Sequence, residues 1–467
     1  QEDFKVIVAN FEYDDISYIE EVYGKGAKYK IPEDKEKYEI YAVKKAIAVR
    51  ELHKELLTKL EENNLTKLFK DIELPLASIL AEMEFDGILV NRDRLQELNV
   101  EIKGKIDILT KEIYDLSGVE FNIASPKQLG EVLFDHLKLP FAKKTKTGYS
   151  TNVDILNKLI NKHPVIKKIM TYRTLTKLHS TYIVGLDKSV LVDGKIHTIY
   201  RQAFTSTGRL SSVEPNLQNI PIRYPEGREI RKVFVPKEGN KLLAADYSQI
   251  ELRVLAHMAD EKVLIEAFNN GEDIHTKTAK QIFGKEDITS LERRQAKAVN
   301  FGIIYGQSAW GLSEEINIGA KEAERFITRY YEQFPGIKQF MDDVVTSASQ
   351  KGYAETLYGR RRYIPELASS VYMQREAGKR NSMNAPIQGS AADIIKIAMI
   401  DIDHALKSKH LKSKLLLQIH DELVFDVDKD EVDIMIELVR DTMEQCVDLK
   451  VPLKVDSALG LNLYETK

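Results

Sequence analysis

The sequence predicts an α+β protein that combines a small, buried sheet with long helical segments. Two short apolar runs, 242–246 and 415–421, have the length of buried strands, and each ends in a carboxylate. Residues 256–405, which separate these runs, have the apolar spacing of helices. At 467 residues and 43% hydrophobic, the chain can bury a large core and should divide into several domains or subdomains.

The N-terminal part of the chain, 1–71, is predicted to be a small unit of its own. Residues 1–40 mix β-like runs, such as 5–9, with acidic and glycine-containing loops. From about residue 38 to 63 the apolar residues take a helical spacing. The sequence therefore predicts a short α/β segment that ends in a helix.

The rest of the chain, 72–467, is predicted to start with an apolar helix at 76–83. A helix-rich, basic region then extends to about residue 187. Ser125 and Pro126 predict a helix start there, because serine caps the first turn and proline suits its first position. The other predicted elements are strands at 196–204 and 233–246, helices over 256–405 and a hairpin around 415–422.

The acids that end the two apolar runs, Asp246 and Asp421, predict a metal site. A carboxylate at the end of a buried strand is costly unless a cation meets it. Two of them on adjacent strands would offer hard oxygen ligands to a pair of Mg²⁺ ions, as phosphoryl transfer requires. Taken singly, each aspartate fits a turn or a helix cap better, so the prediction depends on the pair.

A predicted helix between the two acids carries a candidate phosphate-binding face. Arg293, Lys297, Phe301 and Tyr305 recur every four residues, so they share one side of the helix. The two cations suit a polyphosphate, and the two aromatic rings suit a sugar and a base. The alternative is a solvated basic turn followed by aromatic residues of the core. A glycine after each aromatic residue favours a helix that another group must approach closely, or one that has to move.

These three segments resemble motifs A, B and C of the family A DNA polymerases. The resemblance extends from about residue 70 to the end of the chain, and further segments match in the family's order: Thr207-Gly-Arg209-Leu-Ser-Ser, Pro215-Asn-Leu-Gln-Asn-Ile-Pro221, Asp273-Ile-His-Thr276 and Asn384-Ala-Pro-Ile-Gln388-Gly-Ser-Ala-Ala-Asp393. It implies the large fragment of a bacterial member of the family. The implied fold is a right-hand polymerase, with an antiparallel-sheet palm and helical fingers and thumb, after a truncated α/β exonuclease-like segment. The implied bounds are about 72–100, 188–255 and 406–467 for the palm, 101–187 for the thumb and 256–405 for the fingers.

The resemblance implies template-directed extension of a primer 3′-hydroxyl with deoxynucleoside triphosphates, with release of pyrophosphate. Two Mg²⁺ ions, for which Mn²⁺ should substitute, are expected on Asp246, Asp421 and the backbone carbonyl of Tyr247. They would activate the 3′-hydroxyl and neutralise the departing pyrophosphate. Glu422 is expected to tune this site, and Lys297 is a candidate general acid for pyrophosphate.

The expected nucleotide site lies between the basic helix and motif A. Glu251 should occupy the space of a ribose 2′-hydroxyl, packed against Phe301, so that a ribonucleotide finds neither room nor a partner. Phe301 lacks a phenolic hydroxyl, which implies poor use of chain terminators. Tyr305 should stack at the insertion site and move as the fingers close. The remaining candidates for nucleotide contacts are Arg293, Lys297, His275 and Gln249.

The expected DNA contacts fall into two groups. The first should read acceptors that all correct base pairs share in the minor groove, or touch the primer end, and comprises Arg209, Asn216, Asn219, Arg380, Asn384, Gln388 and His420. The alternatives are a loop cap for each amide and a hydrogen-bonded turn for His420. The second group belongs to the basic region 123–182, where eleven Lys and Arg face three Asp and Glu, and comprises Lys143, Lys144, Lys146 and Lys177. For any single lysine a solvated surface is an equal alternative.

The segment before residue 72 is expected to lack proofreading activity. In the family this region belongs to a 3′–5′ exonuclease, whose metal site needs an acid four residues after a tyrosine. Tyr41 matches the tyrosine, but Lys45 stands at the acidic position and would repel a metal ion. The family's Asp-x-Glu motif is also missing, because the sequence starts after the place where it is expected.

Composition suits a protein of the reducing cytoplasm, and the resemblance implies a monomeric bacterial protein associated with the nucleoid. A single cysteine excludes a disulfide framework, no apolar stretch approaches the ~20 residues of a membrane span, and no signal peptide opens the sequence. Gln1 is not an initiator, so a fragment is expected. The net charge of −4 is unusual for a DNA-binding enzyme, but the basic region supplies a local positive surface.

Three other functions compete with DNA synthesis. A single-subunit RNA polymerase would share the acid pair and the basic helix, but Glu251 favours deoxynucleotides. An inactive DNA-binding protein would keep the basic region but would not need to retain Asp246, Asp421, Arg293 and Lys297 together. A metal-dependent nuclease would need an acidic cluster that the N-terminal segment lacks. Primer extension with each set of nucleotides separates these functions.

Overall fold

The computed structural model describes residues 3–140, 144–145, 148–222 and 224–467. The N-terminal segment is helical, with a small core around Val8, Val22, Tyr41 and Leu52. Its helices are α1 (Phe4–Ala9), α2 (Ile19–Tyr23) and α3 (Lys35–Glu62).

The predicted helix at 38–63 is confirmed, whereas the predicted β structure at 5–9 is wrong. Asp3 caps α1 by accepting a hydrogen bond from the Lys5 amide at 2.9 Å. A strand also needs a neighbour for its backbone groups, and the described part of 3–71 contains no strand that could pair with it.

The next region begins with the predicted apolar helix and continues into a helical lobe. The lobe has its own core, formed by residues such as Ile113, Leu133, Leu156 and Ile166. Ser125 starts a helix as predicted, because its side chain accepts a hydrogen bond from the Gln128 amide. The elements are α4 (Thr66–Leu68), α5 (Leu74–Asp86), β1 (Ile88–Val90), α6 (Arg92–Ser117), α7 (Pro126–Gly130), β2 (Lys144–Thr145), β3 (Gly148–Tyr149), α8 (Val153–Leu159), α9 (Pro164–Leu178) and α10 (Gly185–Ser189).

The middle of the chain supplies short strands, the first strand of the central sheet and most of the helices. The strands and first helix are β4 (Lys195–Ile196), β5 (Ile199–Arg201), β6 (Ser211–Val213), α11 (Pro225–Ile230), β7 (Phe234–Val235) and β8 (Lys241–Tyr247). The helices that follow are α12 (Ile250–Met258), α13 (Lys262–Asn269), α14 (Ile274–Phe283), α15 (Ser290–Ile304), α16 (Ala309–Ile316), α17 (Ala320–Gln333) and α18 (Pro335–Lys351). The C-terminal part comprises β9 (Tyr353–Glu355), β10 (Arg361–Tyr363), α19 (Tyr372–Ser408), β11 (Lys414–Ile419), β12 (Glu422–Val427), α20 (Val432–Gln445) and β13 (Val455–Gly460).

The central sheet is antiparallel throughout, with the strand order β11-β12-β8-β13. Its strands bury side chains on both faces. On β8, Leu243 and Ala245 belong to the large core with the fingers-side helices, and Leu242 and Ala244 belong to the core on the other face. This two-sided burial is why the strand sequences are continuous apolar runs rather than alternating ones.

The palm, thumb and fingers limits given above stay predictions. Helix α6 runs without a break through the predicted palm–thumb limit at residue 100. Within the described ranges, no helix is both long and apolar enough to cross a lipid bilayer.

Candidate active site

The central sheet brings the two predicted strand-end acids to the same place. Asp246 on β8 and Glu422 on β12 are direct partners in the antiparallel ladder. The Tyr247 amide donates to the Asp421 carbonyl at 3.1 Å, so Asp421 lies in the turn beside the end of β8. His420 makes this turn possible with a positive φ of 56°. The two distant segments therefore converge, as the sequence predicted.

Asp421 lies in an environment that disfavours its negative charge. Burial, with smaller contributions from the charges of Glu251 and Asp246, raises the pKa of this carboxyl to about 6 against the lowering effect of Arg209. Arg209 Nη2 is 3.9 Å from Asp421 Oδ1. The neighbours of Asp421 thus compensate its negative charge only in part. A bound cation would supply the positive charge that is still needed.

Glu422 is more deeply buried than either aspartate, with 3% of its side chain exposed. Burial raises its pKa, against the lowering effect of two cations. These are Lys467, which contacts Glu422 Oε2, and Arg231, whose Nη2 lies 3.7 Å from Glu422 Oε1. Lys467 Nζ also lies 3.0 Å from Asp246 Oδ2. Sequence reasoning missed Lys467 and Arg231, since neither lies in the three motifs.

The donor set fits Mg²⁺ but does not form a protein cage. The part of the chain that the structure describes has no group of three or more His, Cys, Asp or Glu placed to hold a metal. Mg²⁺ commonly uses only one or two carboxylates and keeps several waters. Asp246 and Asp421 supply two carboxylates, and the charge of Asp421 is incompletely compensated, which matches that pattern.

A cleft of about 340 Å³ joins motif C to the basic helix. Most of the predicted nucleotide-binding residues meet in it, although they come from distant parts of the chain. The cleft is lined by Arg209, Gln249, Ile250, Glu251, His275, Arg293, Lys297, Phe301, Tyr305 and Asp421.

Glu251 is buried in this cleft and held by two partners. Its exposed fraction is 4%, Arg209 Nη2 lies 2.6 Å from its Oε1, and the Tyr305 hydroxyl donates to its Oε2 at 3.1 Å. Burial and the charge of Glu251 raise the pKa of Tyr305 to about 12, so its hydroxyl remains a donor. The sequence placed Arg209 on DNA and Tyr305 against a base. In the structure both also fix Glu251.

The end of α15 shows why glycines follow its aromatic residues. A Cβ on Gly302 would lie 2.7 Å from Gln307 Oε1, so the chain that follows the helix packs directly on this position. Gly306 has a φ of +59°, and a Cβ there would lie 3.0 Å from Arg380 Cγ. The predicted close approach is therefore confirmed, although the approaching groups belong to the protein itself.

Arg293 is held by an acid that sequence reasoning did not single out. Its Nη2 and Nε lie 2.6 and 2.8 Å from Asp273 Oδ2. The other oxygen, Oδ1, caps α14 by accepting from the amides of His275 and Thr276. Burial raises the pKa of Asp273, but these amides and Arg293 outweigh it and lower the pKa overall. Asp273 therefore links the start of α14 to the candidate phosphate-binding face of α15.

His275 is buried and its protonation is set by Asn300. Thr278 Oγ1 donates to the Asn300 carbonyl oxygen at 3.1 Å, and the Asn300 amide nitrogen lies 3.0 Å from His275 Nδ1. Nδ1 therefore accepts, and the proton of the neutral ring is on Nε2. Burial, with smaller contributions from the charges of Lys297 and Arg293, lowers the pKa of His275 to about 4 against the raising effect of Asp273. The ring can thus donate one hydrogen bond without carrying a charge.

Residues predicted to contact DNA line a second cleft, of about 370 Å³. Lys177, Asn219 and His420 all border it. Asn216 caps a loop, since its side chain accepts from the Gln218 amide at 2.9 Å. Lys143, Lys146 and the side chain of Lys144 lie outside the described residues.

The other predicted DNA contacts share one face of α19. Arg380, Asn384 and Gln388 follow each other at intervals of four residues along this helix. Asn384 is buried, and its amide donates to the Ile304 carbonyl at 3.4 Å. The face therefore abuts the end of α15, the helix that carries Arg293 and Phe301.

Comparison with known families gives two matches that cover nearly the whole chain. Residues 92–465 match the family described as DNA polymerase family A. Residues 1–52 match the family described as DNA polymerase I, ribonuclease H-like domain.

Individual relatives are similar to the chain over its full length. The DNA polymerase I of Geobacillus stearothermophilus is 52% identical over 469 residues, which cover 100% of this chain and 53% of the relative. The DNA polymerase I of Bacillus subtilis (strain 168) is 53% identical over 97% of this chain and 52% of the relative. The chain therefore spans about half the length of these relatives.

A solved structure has a similar fold. It is described as the POL domain of Pol1 from M. smegmatis in complex with DNA primer-template and dNTP. It matches with a TM-score of 0.87 at 44% sequence identity, over 92% of this chain and 76% of that chain. The predicted right-hand polymerase fold is thereby confirmed.

Proposed function

The chain belongs to DNA polymerase family A, and we propose that it extends the 3′ end of a DNA primer along a template, using deoxynucleoside triphosphates and releasing pyrophosphate. The observation that carries the proposal is the cleft where Glu251, Arg293, Lys297 and Phe301 face Asp421. Cations for a triphosphate, an aromatic ring, a buried acid and the carboxylate of Asp421 meet at one place. Phosphoryl transfer to a nucleic acid end needs this combination.

Asp246, Asp421 and the Tyr247 carbonyl are the proposed ligands of two Mg²⁺ ions. When bound, these ions would supply Lewis-acid activation of the 3′-hydroxyl and neutralisation of pyrophosphate. The chain itself contributes the two carboxylates at the end of the central sheet. Glu422, in register with Asp246, fixes the hairpin that holds them.

Arg293, Lys297 and His275 are the proposed phosphate ligands of the incoming nucleotide. Arg293 and Lys297 are exposed on one side of α15, and His275 faces the same cleft. The Nε2–H of the neutral His275 ring can donate to a phosphate oxygen without adding charge. Lys297, whose Nζ lies 5.9 Å from the centroid of the Phe301 ring, is the proposed proton donor to pyrophosphate.

Glu251 and Phe301 are the proposed determinants of sugar choice. Glu251 cannot turn towards solvent easily, because Arg209 and Tyr305 hold both of its oxygens. A ribose 2′-hydroxyl beside this group would meet oxygens that are already paired. Discrimination against ribonucleotides follows from that fixed position and favours DNA synthesis over RNA synthesis.

The proposed duplex path uses the second cleft and α19. Lys177 can neutralise a backbone phosphate, and Asn219 and His420 line the same cleft near the primer end. Arg380 and Gln388 offer donors to base edges from α19. We further propose that the protein acts in the bacterial cytoplasm, since the relatives it matches come from bacteria, and that it acts as a monomer.

We also propose that the N-terminal segment does not proofread. Lys45 lies on α3 with its ammonium 5.2 Å from the centroid of the Phe4 ring. A cation stacked on an aromatic ring stands where the family's exonuclease needs a metal-binding acid. Incubation of a primer with a mismatched 3′ end, in Mg²⁺ but without nucleotides, should leave the primer intact. Shortening of the primer in proportion to the protein added would contradict this.

Primer extension tests the main proposal and its competitors together. A labelled primer-template should grow with deoxynucleotides and Mg²⁺, and should grow far less with ribonucleotides. Efficient growth with ribonucleotides would indicate an RNA polymerase, DNA binding without growth would indicate an inactive binding protein, and template-independent shortening would indicate a nuclease. Asp421→Asn is the matched negative control, because it removes the charge and keeps the side-chain shape.

A further inference from the structure

Lys467 places its ammonium group inside the acidic cluster of the active site. Nζ lies 3.0 Å from Asp246 Oδ2 and contacts Glu422 Oε2. The lysine belongs to the segment after β13, outside the three motifs that form the rest of the site. Its side chain is 31% exposed, whereas that of Glu422 is 3% exposed. The ammonium of Lys467 therefore bridges the buried Glu422 and the partly exposed Asp246.

The fold fixes the position of this segment. Leu463 is fully buried, and its amide donates to the Phe234 carbonyl at 3.0 Å. Its carbonyl accepts from Arg231 Nε and from Thr466 Oγ1, each at 3.1 Å. A Cβ on Gly460 would lie 2.6 Å from Glu465 Cβ, so the segment folds closely back on the end of β13. These anchors direct Lys467 towards the ends of β8 and β12.

Glu422 depends on Lys467 for its charge balance. Within the described part of the chain, Oε1 of Glu422 has no hydrogen-bond partner, and neither has Nη2 of Arg231, which lies 3.7 Å from it. Oε2 of Glu422 contacts the ammonium of Lys467. A buried carboxylate without a close cation is strongly destabilising. The ammonium of Lys467 is the nearer of its two cations.

We propose that Lys467 is a resident counter-ion of the active site that competes with a divalent cation for Asp246. This inference rests on the proposed metal-binding role of Asp246. An ammonium and a divalent cation that both contact one carboxylate lie close together and therefore repel each other strongly. Metal binding at Asp246 therefore displaces Lys467, which keeps Glu422 as its partner. Lys467 is thus a positioning residue that sets how tightly the site holds its cation.

The test measures Mn²⁺ binding directly, on metal-free protein without DNA or nucleotide. Free Mn²⁺ is followed by electron paramagnetic resonance during a titration. Lys467→Met removes the charge and keeps an unbranched apolar side chain. We expect its Kd for Mn²⁺ to be about five-fold lower than that of the wild type, the size of effect expected of a partly exposed ion pair.

Two further lysine variants control for net charge and for shape. Lys454 pairs with Glu444 at 3.3 Å and is 57% exposed, so Lys454→Met changes the net charge equally and should leave the Kd unchanged. Lys467→Arg keeps a cation at the site and should bind Mn²⁺ nearly as the wild type does. An unchanged or higher Kd for Mn²⁺ in Lys467→Met would overturn the proposal. So would a decrease in Kd of the same size in Lys454→Met.

A fourth variant separates this inference from the function on which it rests. Asp246→Asn should strongly weaken Mn²⁺ binding in both the wild-type and the Lys467→Met background. Binding that survives Asp246→Asn would contradict the metal role of Asp246 itself. Thermal unfolding in EDTA gives a readout without metal, in which Lys467→Met should unfold at a lower temperature than the wild type. Added Mn²⁺ should reduce the difference between the two unfolding midpoints. Equal midpoints in EDTA would count against a resident counter-ion.

Discussion

The ion pair between Asp273 and Arg293 should weaken nucleotide binding, and Asp273→Asn isolates this effect. Asp273 Oδ1 caps α14, and only Oδ2 accepts from Arg293. Asparagine keeps an oxygen for the cap, which it serves as well as aspartate does. Its NH₂ group would replace Oδ2 and face the N–H groups of Arg293. The substitution should therefore break the ion pair and leave the helix start intact.

The size of the effect follows from the geometry of the pair. Nε and Nη2 of Arg293 both contact Asp273 Oδ2, and these are donors that a phosphate contact would also use. The side chains are 45% and 41% exposed, so solvent screens the attraction and about 0.5–1 kcal/mol is a realistic strength. Releasing Arg293 should lower the KM for deoxynucleotides about two- to five-fold. The kcat should stay unchanged, because Asp273 does not touch the strand-end acids.

Steady-state incorporation of a single nucleotide opposite a matched template base measures both constants. Asp342→Asn is a suitable control, since Asp342 forms an exposed pair with Lys338 at 2.7 Å on α18 and is outside the cleft. Its KM should equal that of the wild type. A KM that is unchanged or raised in Asp273→Asn would show that the pair does not oppose nucleotide binding.

Three further predictions concern sugar choice and pH. Glu251→Ala should lower the ratio of kcat/KM for deoxynucleotides over ribonucleotides about 10- to 100-fold, because a buried hydroxyl without a partner costs about 1–3 kcal/mol. An unchanged ratio would show that other residues discriminate between the two sugars. Phe301→Tyr should raise the relative kcat/KM for dideoxynucleotides, and competition between the two nucleotide types in one reaction measures it. His275 has its pKa lowered to about 4, so ¹³C NMR should show a neutral ring at pH 6. Because the unfolded state takes up this proton first, stability should fall between about pH 6.5 and 4, and less steeply in His275→Gln.

The sequence was sufficient for the parts of the site that depend on local periodicity. The runs before Asp246 and Asp421 form strands because both faces of the sheet are covered, and a continuous apolar run signals this. Helix α15 follows from its spacing and begins at Ser290, after Thr289, whose side chain accepts from the Glu292 amide in a capping box. These elements bring Arg293 and Lys297 to the cleft.

Contacts between side chains from distant segments could not be predicted in this way. Lys467 reaches Asp246 only because Leu463 is buried against Phe234, a contact between residues far apart in sequence. Asn300 sets the tautomer of His275 through a bond between two helices. Asp273 did carry a local signal, since it stands just before a helical pattern as an N-cap does. Its second bond, to Arg293, was not visible in that signal.

The β-like run at 5–9 shows the limit of local pattern. A short run rich in valine and isoleucine suits a strand as well as a helix, and pairing decides between them. Asp3 provides a helix cap, and no strand of the described segment 3–71 is available for pairing. The choice of helix was therefore made by the surroundings of the run.

The central claim is that Asp246 and Asp421 act as one metal-binding pair for nucleotide transfer. Rapid-quench measurement of single-turnover incorporation, with primer-template bound and saturating deoxynucleotide, tests it directly in Asp246→Asn and Asp421→Asn. The rate of each variant should fall at least about 10³-fold. Without one of the two carboxylates, the site can no longer hold the metal ions whose charge would stabilise the transition state. The affinity for primer-template should change little. A rate within about ten-fold of the wild type, from either variant, would contradict the account.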